Sequence, residues 1–218
     1  MAFKSALRPA LLACFALVAL AASARAEPYR IVGFGDSLMA GYGLDAGQSF
    51  PEKLEKALRA KGHDVVIEQA GVSGDTTSGG LARLEWSVPG GTRLVILELG
   101  ANDMLRGIGP EITESNLDAM LARLEERDIA VLLAGMRAAP NLGPDYQAAF
   151  DPIYPRLAEK HGVALYPFFL EGVAADRAYL LEDGMHPNAA GIDRIVEGML
   201  PEVEKFVVAA QPAAGQIP

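Results

Sequence analysis

This sequence predicts an α/β domain with a mostly parallel five-stranded sheet covered by helices on both faces. Apolar, β-branched runs of strand length alternate with longer segments of helical spacing, the order that repeated βαβ units produce. The chain has 218 residues, half of them apolar, enough for one sizeable core and too few for two ordinary domains. No internal repeat or linker divides it.

The strands are expected at about 29–35, 64–69, 93–99, 129–134 and 163–166. Helices fill the gaps. Ser49 is placed to cap the first, with Pro51 in its opening turn, Leu54, Ala57 and Leu58 on one face and Gly62 closing it. A second is expected from Thr77 to Trp86. The third, about 112–127, ends in Arg123, Glu125, Glu126 and Arg127, which reads as a solvated surface. A fourth is expected at about 145–160 with Gly162 as its stop. The last follows Pro187 and reaches about Val208, and Gln211 to Pro218 reads as a loose tail.

Residues 1–26 are expected to be a signal peptide. Lys4 and Arg8 precede an apolar stretch from Pro9 to about Ala22, and Ala24-Arg25-Ala26 offers a small-x-small cleavage site. The apolar stretch is shorter than the roughly 20 residues that span a bilayer, so no stable membrane anchoring is expected after cleavage. The mature domain would occupy 27–210, in the periplasm or outside the cell. Cleavage removes Lys4, Arg8 and Arg25 and no acidic residue, which takes the formal charge from −9 to −12. Such a surface repels nucleic acid and anionic lipid head groups. Cleavage also removes Cys14, the one cysteine, leaving a chain without disulfides that tolerates an oxidising compartment.

In an open parallel sheet, ligands bind outside the carboxyl ends of the strands. Gly35-Asp36-Ser37-Leu38 follows the first strand, Ser73 to Gly80 the second and Gly100-Ala101-Asn102-Asp103 the third, and Asp183-Gly184-Met185-His186-Pro187 precedes the last helix. Every chemically suggestive cluster falls on this edge. A serine hydroxyl needs a base to take its proton and a third group to hold the base. Of the three histidines, His63 and His161 sit just before strands, at the opposite edge, so His186 is the candidate base for Ser37. Asp183, three residues before it, is within reach of its ring. Taken alone, these residues suit a turn and a helix start; opposite a strand-end serine they form a triad. Donors for a developing oxyanion are available from the N–H groups of Ser37 and Gly74 and the amide of Asn102.

With these motifs in place, the sequence resembles the SGNH/GDSL hydrolases, whose four blocks centre on a serine, a glycine, an asparagine and a histidine. The likeness is strongest to small periplasmic multifunctional acyl-CoA thioesterases, which are similar to arylesterases and lysophospholipases. It is carried by Gly35 to Leu44, Val72 to Thr77, Glu98 to Gly107, Ala149 to Leu157 and Asp183 to Asn188. The resemblance implies a three-layer α/β/α sandwich, flavodoxin-like, with Ser37 as nucleophile, Ser37, Gly74 and Asn102 as oxyanion donors, and Asp183 and His186 as acid and base. One departure is Gln69, where relatives usually carry asparagine.

Leu38, Met39, Met104, Leu105, Ile108, Met136, Leu142 and Met185 lie in the same loops and are expected to form a groove for acyl chains, since methionine adapts to varied apolar partners. Ordinary loop packing explains them nearly as well. The expected substrates are small acyl esters or thioesters. The chemistry needs no cofactor and no metal. The residues do not decide the oligomeric state, for which a monomer is the expectation. Two rivals remain open: a metal-dependent phosphoesterase using Asp36, Asp75, Asp103, Asp183 and His186, and a non-catalytic flavodoxin-like domain that cradles phosphate at Ser73–Gly80. The first has one histidine and no cysteine where tight zinc sites use several nitrogen or sulfur ligands. The second lacks a cation in its loop.

Overall fold

A computed structural model describes residues 27–210. The leader expected at 1–26, with Cys14, and the tail expected at 211–218 lie outside the described residues. Five strands, β1 (Tyr29–Gly35), β2 (Val65–Gly71), β3 (Leu94–Glu98), β4 (Ala130–Ala134) and β5 (Ala164–Tyr166), form one sheet in the order β2-β1-β3-β4-β5. Every pairing is parallel. All five residues of β3 are buried, as befits a strand covered on both faces, and this is why such strands read as unbroken apolar runs.

The helices are α1 (Ser37–Ala40), α2 (Phe50–Ala60), α3 (Thr77–Ser87), α4 (Ala101–Leu105), α5 (Pro110–Glu125), α6 (Pro144–Phe150), α7 (Ile153–His161) and α8 (Ala189–Ala209). α2 packs with α8, α3 with α5, and α5 with α7, so two helical layers enclose the sheet. α2 buries Phe50, Pro51, Leu54 and Leu58 on one stripe, and Glu52 accepts the backbone N–H of Ser49 at 3.1 Å, one half of a capping box. α8 buries Ile192, Ile195, Val196, Met199, Val203 and Val207, spaced three and four residues apart.

The structure differs from the sequence expectation in three places. β2 runs on to Gly71 because Gly35 pairs with it in register. The single helix expected at 145–160 is two, α6 and α7, broken at Asp151-Pro152, where proline has no N–H to continue the ladder. The short α1 and α4 and the 3₁₀ turns Pro140–Leu142 and Arg177–Tyr179 are too brief to carry a helical period.

The strand order reverses between β1 and β3. Connections on either side of that point diverge to opposite faces and leave a crevice at the carboxyl ends.

Candidate active site

The crevice opens where β1 and β3 end. β1 finishes at Gly35, and Asp36 then caps α1 by accepting the Leu38 N–H at 2.9 Å. This turn lifts Ser37 to the sheet edge. Gly35 is required there: a Cβ would stand 2.5 Å from the Glu98 carbonyl oxygen and 2.6 Å from Glu98 Oε2.

The segment before α8 supplies His186. Leu181 N–H donates to His186 O at 2.8 Å, Asn188 N–H to Tyr179 O at 2.9 Å, and Leu180 bridges Pro187. Asn188 staples this loop to α8, since its amide donates to Ala178 O and Leu180 O while its Oδ1 caps Ala190 and Gly191, each at 3.0 Å. In the held loop, His186 Nε2 lies 2.9 Å from Ser37 Oγ, and its Nδ1 lies 2.6 Å from Asp183 Oδ2. The other oxygen of Asp183 accepts the N–H groups of Met185 and His186 at 2.9 and 3.0 Å. Those two backbone donors, with smaller help from the imidazole, lower the Asp183 pKa to about 2. A carboxylate so fixed only accepts, so Nδ1 carries the proton and neutral His186 presents a bare Nε2 to the serine hydroxyl. The Tyr42 ring lies 4.5 Å from the imidazole, tilted by 36°.

Ser37, Gly74 and Asn102 share a wall of one cavity with His186. Gly74 has φ 82°, left-handed backbone that glycine adopts without strain, and Arg106 Nη2 holds its carbonyl at 2.6 Å. Among the described residues, the Ser37 and Gly74 N–H groups meet no acceptor. Asn102 Nδ2 gives one proton to Asp36 Oδ2 at 2.9 Å and has a second to offer.

The cavity holds about 590 Å³. Of the eight residues expected to form an acyl groove, Leu38, Met104, Leu105, Met136 and Met185 line it. Met39, Ile108 and Leu142 do not. Met39 turns back from α1 into the core, where it is fully buried against Gly33 and Gly35. Ile108 offers its carbonyl to the Tyr146 hydroxyl at 3.0 Å. Leu142 packs on the core, while Ala139 and Asn141, which flank Pro140 in the same turn, reach the cavity. Phe168, Leu170, Ala174, Ala175 and Leu180 complete the wall. They lie in irregular chain after β5, where no periodicity marks them.

The other acidic residues of this edge are taken up by the protein. Asp75 pairs with Arg83 Nε at 2.7 Å, both side chains nearly buried. Arg83 also donates to Gly35 O at 2.8 Å and Ala70 O at 2.9 Å, and its guanidinium lies over Phe34. Asp103 Oδ2 accepts the Thr77 N–H at 2.8 Å, and Thr76 caps Gly79. The helix start proposed as a phosphate cradle is therefore filled by protein carboxylate and hydroxyl. Gln69 lies in β2 beside Gly33 and donates to Ala40 O at 3.1 Å, tying β2 to α1. At the opposite edge His63 meets Glu204 at 2.8 Å, and His161 meets Asp118 at 2.7 Å.

Residues 34–194 match the GDSL-like lipase/acylhydrolase family. The chain belongs to that family. It is 40% identical over 195 residues to esterase TesA of Pseudomonas aeruginosa, an alignment covering 89% of this chain and 96% of that protein. To thioesterase 1/protease 1/lysophospholipase L1 of Escherichia coli K12 it is 37% identical over 174 residues, covering 79% and 82%. The crystal structure of AlinE4, an SGNH-hydrolase family esterase, superposes with a TM-score of 0.70 at 48% identity, covering 85% of this chain and 98% of the other. The family membership and the parallel α/β sheet agree with what the four motifs imply. This SGNH-family chain is an ester-hydrolysing enzyme. Among its described residues no helix is long and apolar enough to cross a membrane.

Proposed function

We propose that this enzyme cleaves small carboxylic esters and thioesters through an acyl-enzyme on Ser37, with His186 as general base and then acid. The relay of Ser37 Oγ, His186 and Asp183 at 2.9 and 2.6 Å, set at the mouth of an apolar cavity, carries the reading. Ser37 Oγ attacks the carbonyl carbon while its proton passes to Nε2. The carbonyl oxygen becomes an anion, served by the N–H groups of Ser37 and Gly74 and by Asn102 Nδ2. Collapse breaks the bond to the leaving oxygen or sulfur, which takes the proton from Nε2, and water then repeats the sequence on the acyl-serine. Asp183 holds the ring and balances the imidazolium. Leu38, Met104, Leu105, Met136 and Met185 receive the acyl chain. The protein is exported, its leader removed after Ala26.

Ser37→Ala tests the assignment. It should abolish ester hydrolysis and stoichiometric labelling by a fluorophosphonate while leaving the melting curve unchanged. A variant that still labels one-to-one removes Ser37 as the nucleophile.

A further inference from the structure

Behind the nucleophile stands a second carboxyl that the reaction above does not use. Glu98 ends β3 and is fully buried. Its Oε2 accepts the Asp36 N–H at 3.3 Å, a long contact, and its Oε1 has no hydrogen-bond partner. The carboxyl of Asp36 is its neighbour in the same buried site. Asp36 is buried too, but it takes two good donors, Leu38 N–H and Asn102 Nδ2, each at 2.9 Å. Two neighbouring carboxyls in a dry site resist being ionised together. Burial raises the Asp36 pKa, but its donors oppose that shift, whereas Glu98 has no comparable donors, which favours the charge on Asp36 and the proton on Glu98.

We propose that Glu98 is a positioning residue for the oxyanion site: its neutral carboxyl donates to Asp36, and the Asp36 carboxylate fixes Asn102 so that the second amide proton faces the reacting oxygen. Burial, reinforced by the negative charge of Asp36, holds the Glu98 pKa well above the carboxylate range. His186 faces the Asp36 side of the pair, and Tyr154 from α7 faces both carboxyls, with Asp103 from α4 and Tyr146 from α6 next to Tyr154. Arg83 reaches the same turn at Gly35 O. Losing the proton from Glu98 would set two anions against each other and release Asp36, and with it Asn102. Glu98 is protonated below its raised pKa, so the contribution is present below that pKa and is lost as pH climbs through it.

This inference rests on the oxyanion role proposed for Asn102. Glu98→Leu, which cannot donate, and Glu98→Gln, which donates but has no acidic proton, separate the outcomes when kcat and KM are followed from neutral to alkaline pH beside a melting curve. Glu98→Leu should lower kcat at unchanged KM, by at most the ~10²–10³-fold that loss of one oxyanion donor costs. Glu98→Gln should recover most of that loss, and its kcat should no longer show the alkaline decline of the wild type. If Glu98→Leu does not fold, the pH profile of Glu98→Gln decides alone. An alkaline limb identical in wild type and Glu98→Gln overturns the proposal, as does a Glu98→Leu enzyme with wild-type kcat. An active Ser37→Ala would instead unseat the serine mechanism itself.

Discussion

At the residue scale, the imidazole is held by an acceptor that is itself held. Asp183 spends one oxygen on two backbone N–H groups and the other on His186 Nδ1. Asp183→Asn keeps an oxygen for the backbone and turns an NH₂ toward Nδ1, which favours the wrong tautomer. We expect kcat to fall by up to about 10⁴ with KM little changed; a loss below tenfold would assign the ring's orientation to other contacts. Because the Asp183 pKa lies near 2, this carboxylate stays charged as pH falls through the ordinary carboxylate range. Its contribution to stability is present above that range and is lost only as pH falls towards 2. Asp183 should therefore add no ionisation of its own to the mildly acidic part of the kcat/KM profile; a step there that disappears in Asp183→Asn would contradict it. That Ser37, Gly74, Asn102, Asp183 and His186 meet at one edge was legible in the sequence because each follows a strand end or precedes a helix in a short motif. The support beneath them was not. Asp36 and Asp103 entered the sequence reading only as ligands of a rival metal site, and Glu98 only as part of the third strand and its motif, because what they meet lies in other segments of the chain.

At the element scale, Arg83 of α3 joins three pieces of chain: the ends of β1 and β2 and the loop that carries Gly74. Arg83→Leu leaves Asp75 buried without its partner and frees two carbonyls, which should destabilise the fold by about 3–5 kcal/mol. Chemical denaturation checks it, and a double variant that also replaces Asp75 with leucine should recover part of the loss. A single-variant cost below about 1 kcal/mol, the median of exposed pairs, would show the pair to be solvated. The five strands were legible to within two residues because buried parallel strands concentrate apolar residues. The helix broken at Pro152 was not, since the apolar spacing carries through from Tyr146 and Phe150 to Ile153 and Leu157 while the backbone ladder stops. The short α1 and α4 supply Ser37, Leu38, Asn102, Met104 and Leu105 to the cavity, and they are set by caps and glycines rather than by periodicity.

At the scale of the whole molecule, the cavity is assembled from loops after β1, β2, β3, β4 and β5, so its walls are apolar and come from distant parts of the chain. Across a series of p-nitrophenyl esters and the matching thioesters, kcat/KM should rise by up to about fourfold per added CH₂, the worth of burying one such group, until the 590 Å³ is filled. A flat series would place the acyl chain in solvent. N-terminal analysis of the exported protein should begin at Glu27; a full-length, membrane-embedded product would refute the signal peptide. The order in which the parts are made also matters. A ribosome releases Ser37 early and His186 near the end, and the loop bearing His186 is pinned by Asn188 to α8, which rests on α2 through Lys53, whose ammonium meets Ala189 O and Asp193, each at 2.7 Å. The nascent polypeptide therefore carries Ser37 without a docked His186 until its last helix has been translated and seated, and on the mechanism proposed above a chain interrupted before residue 189 should be catalytically silent toward the thioesters of the cell that makes it.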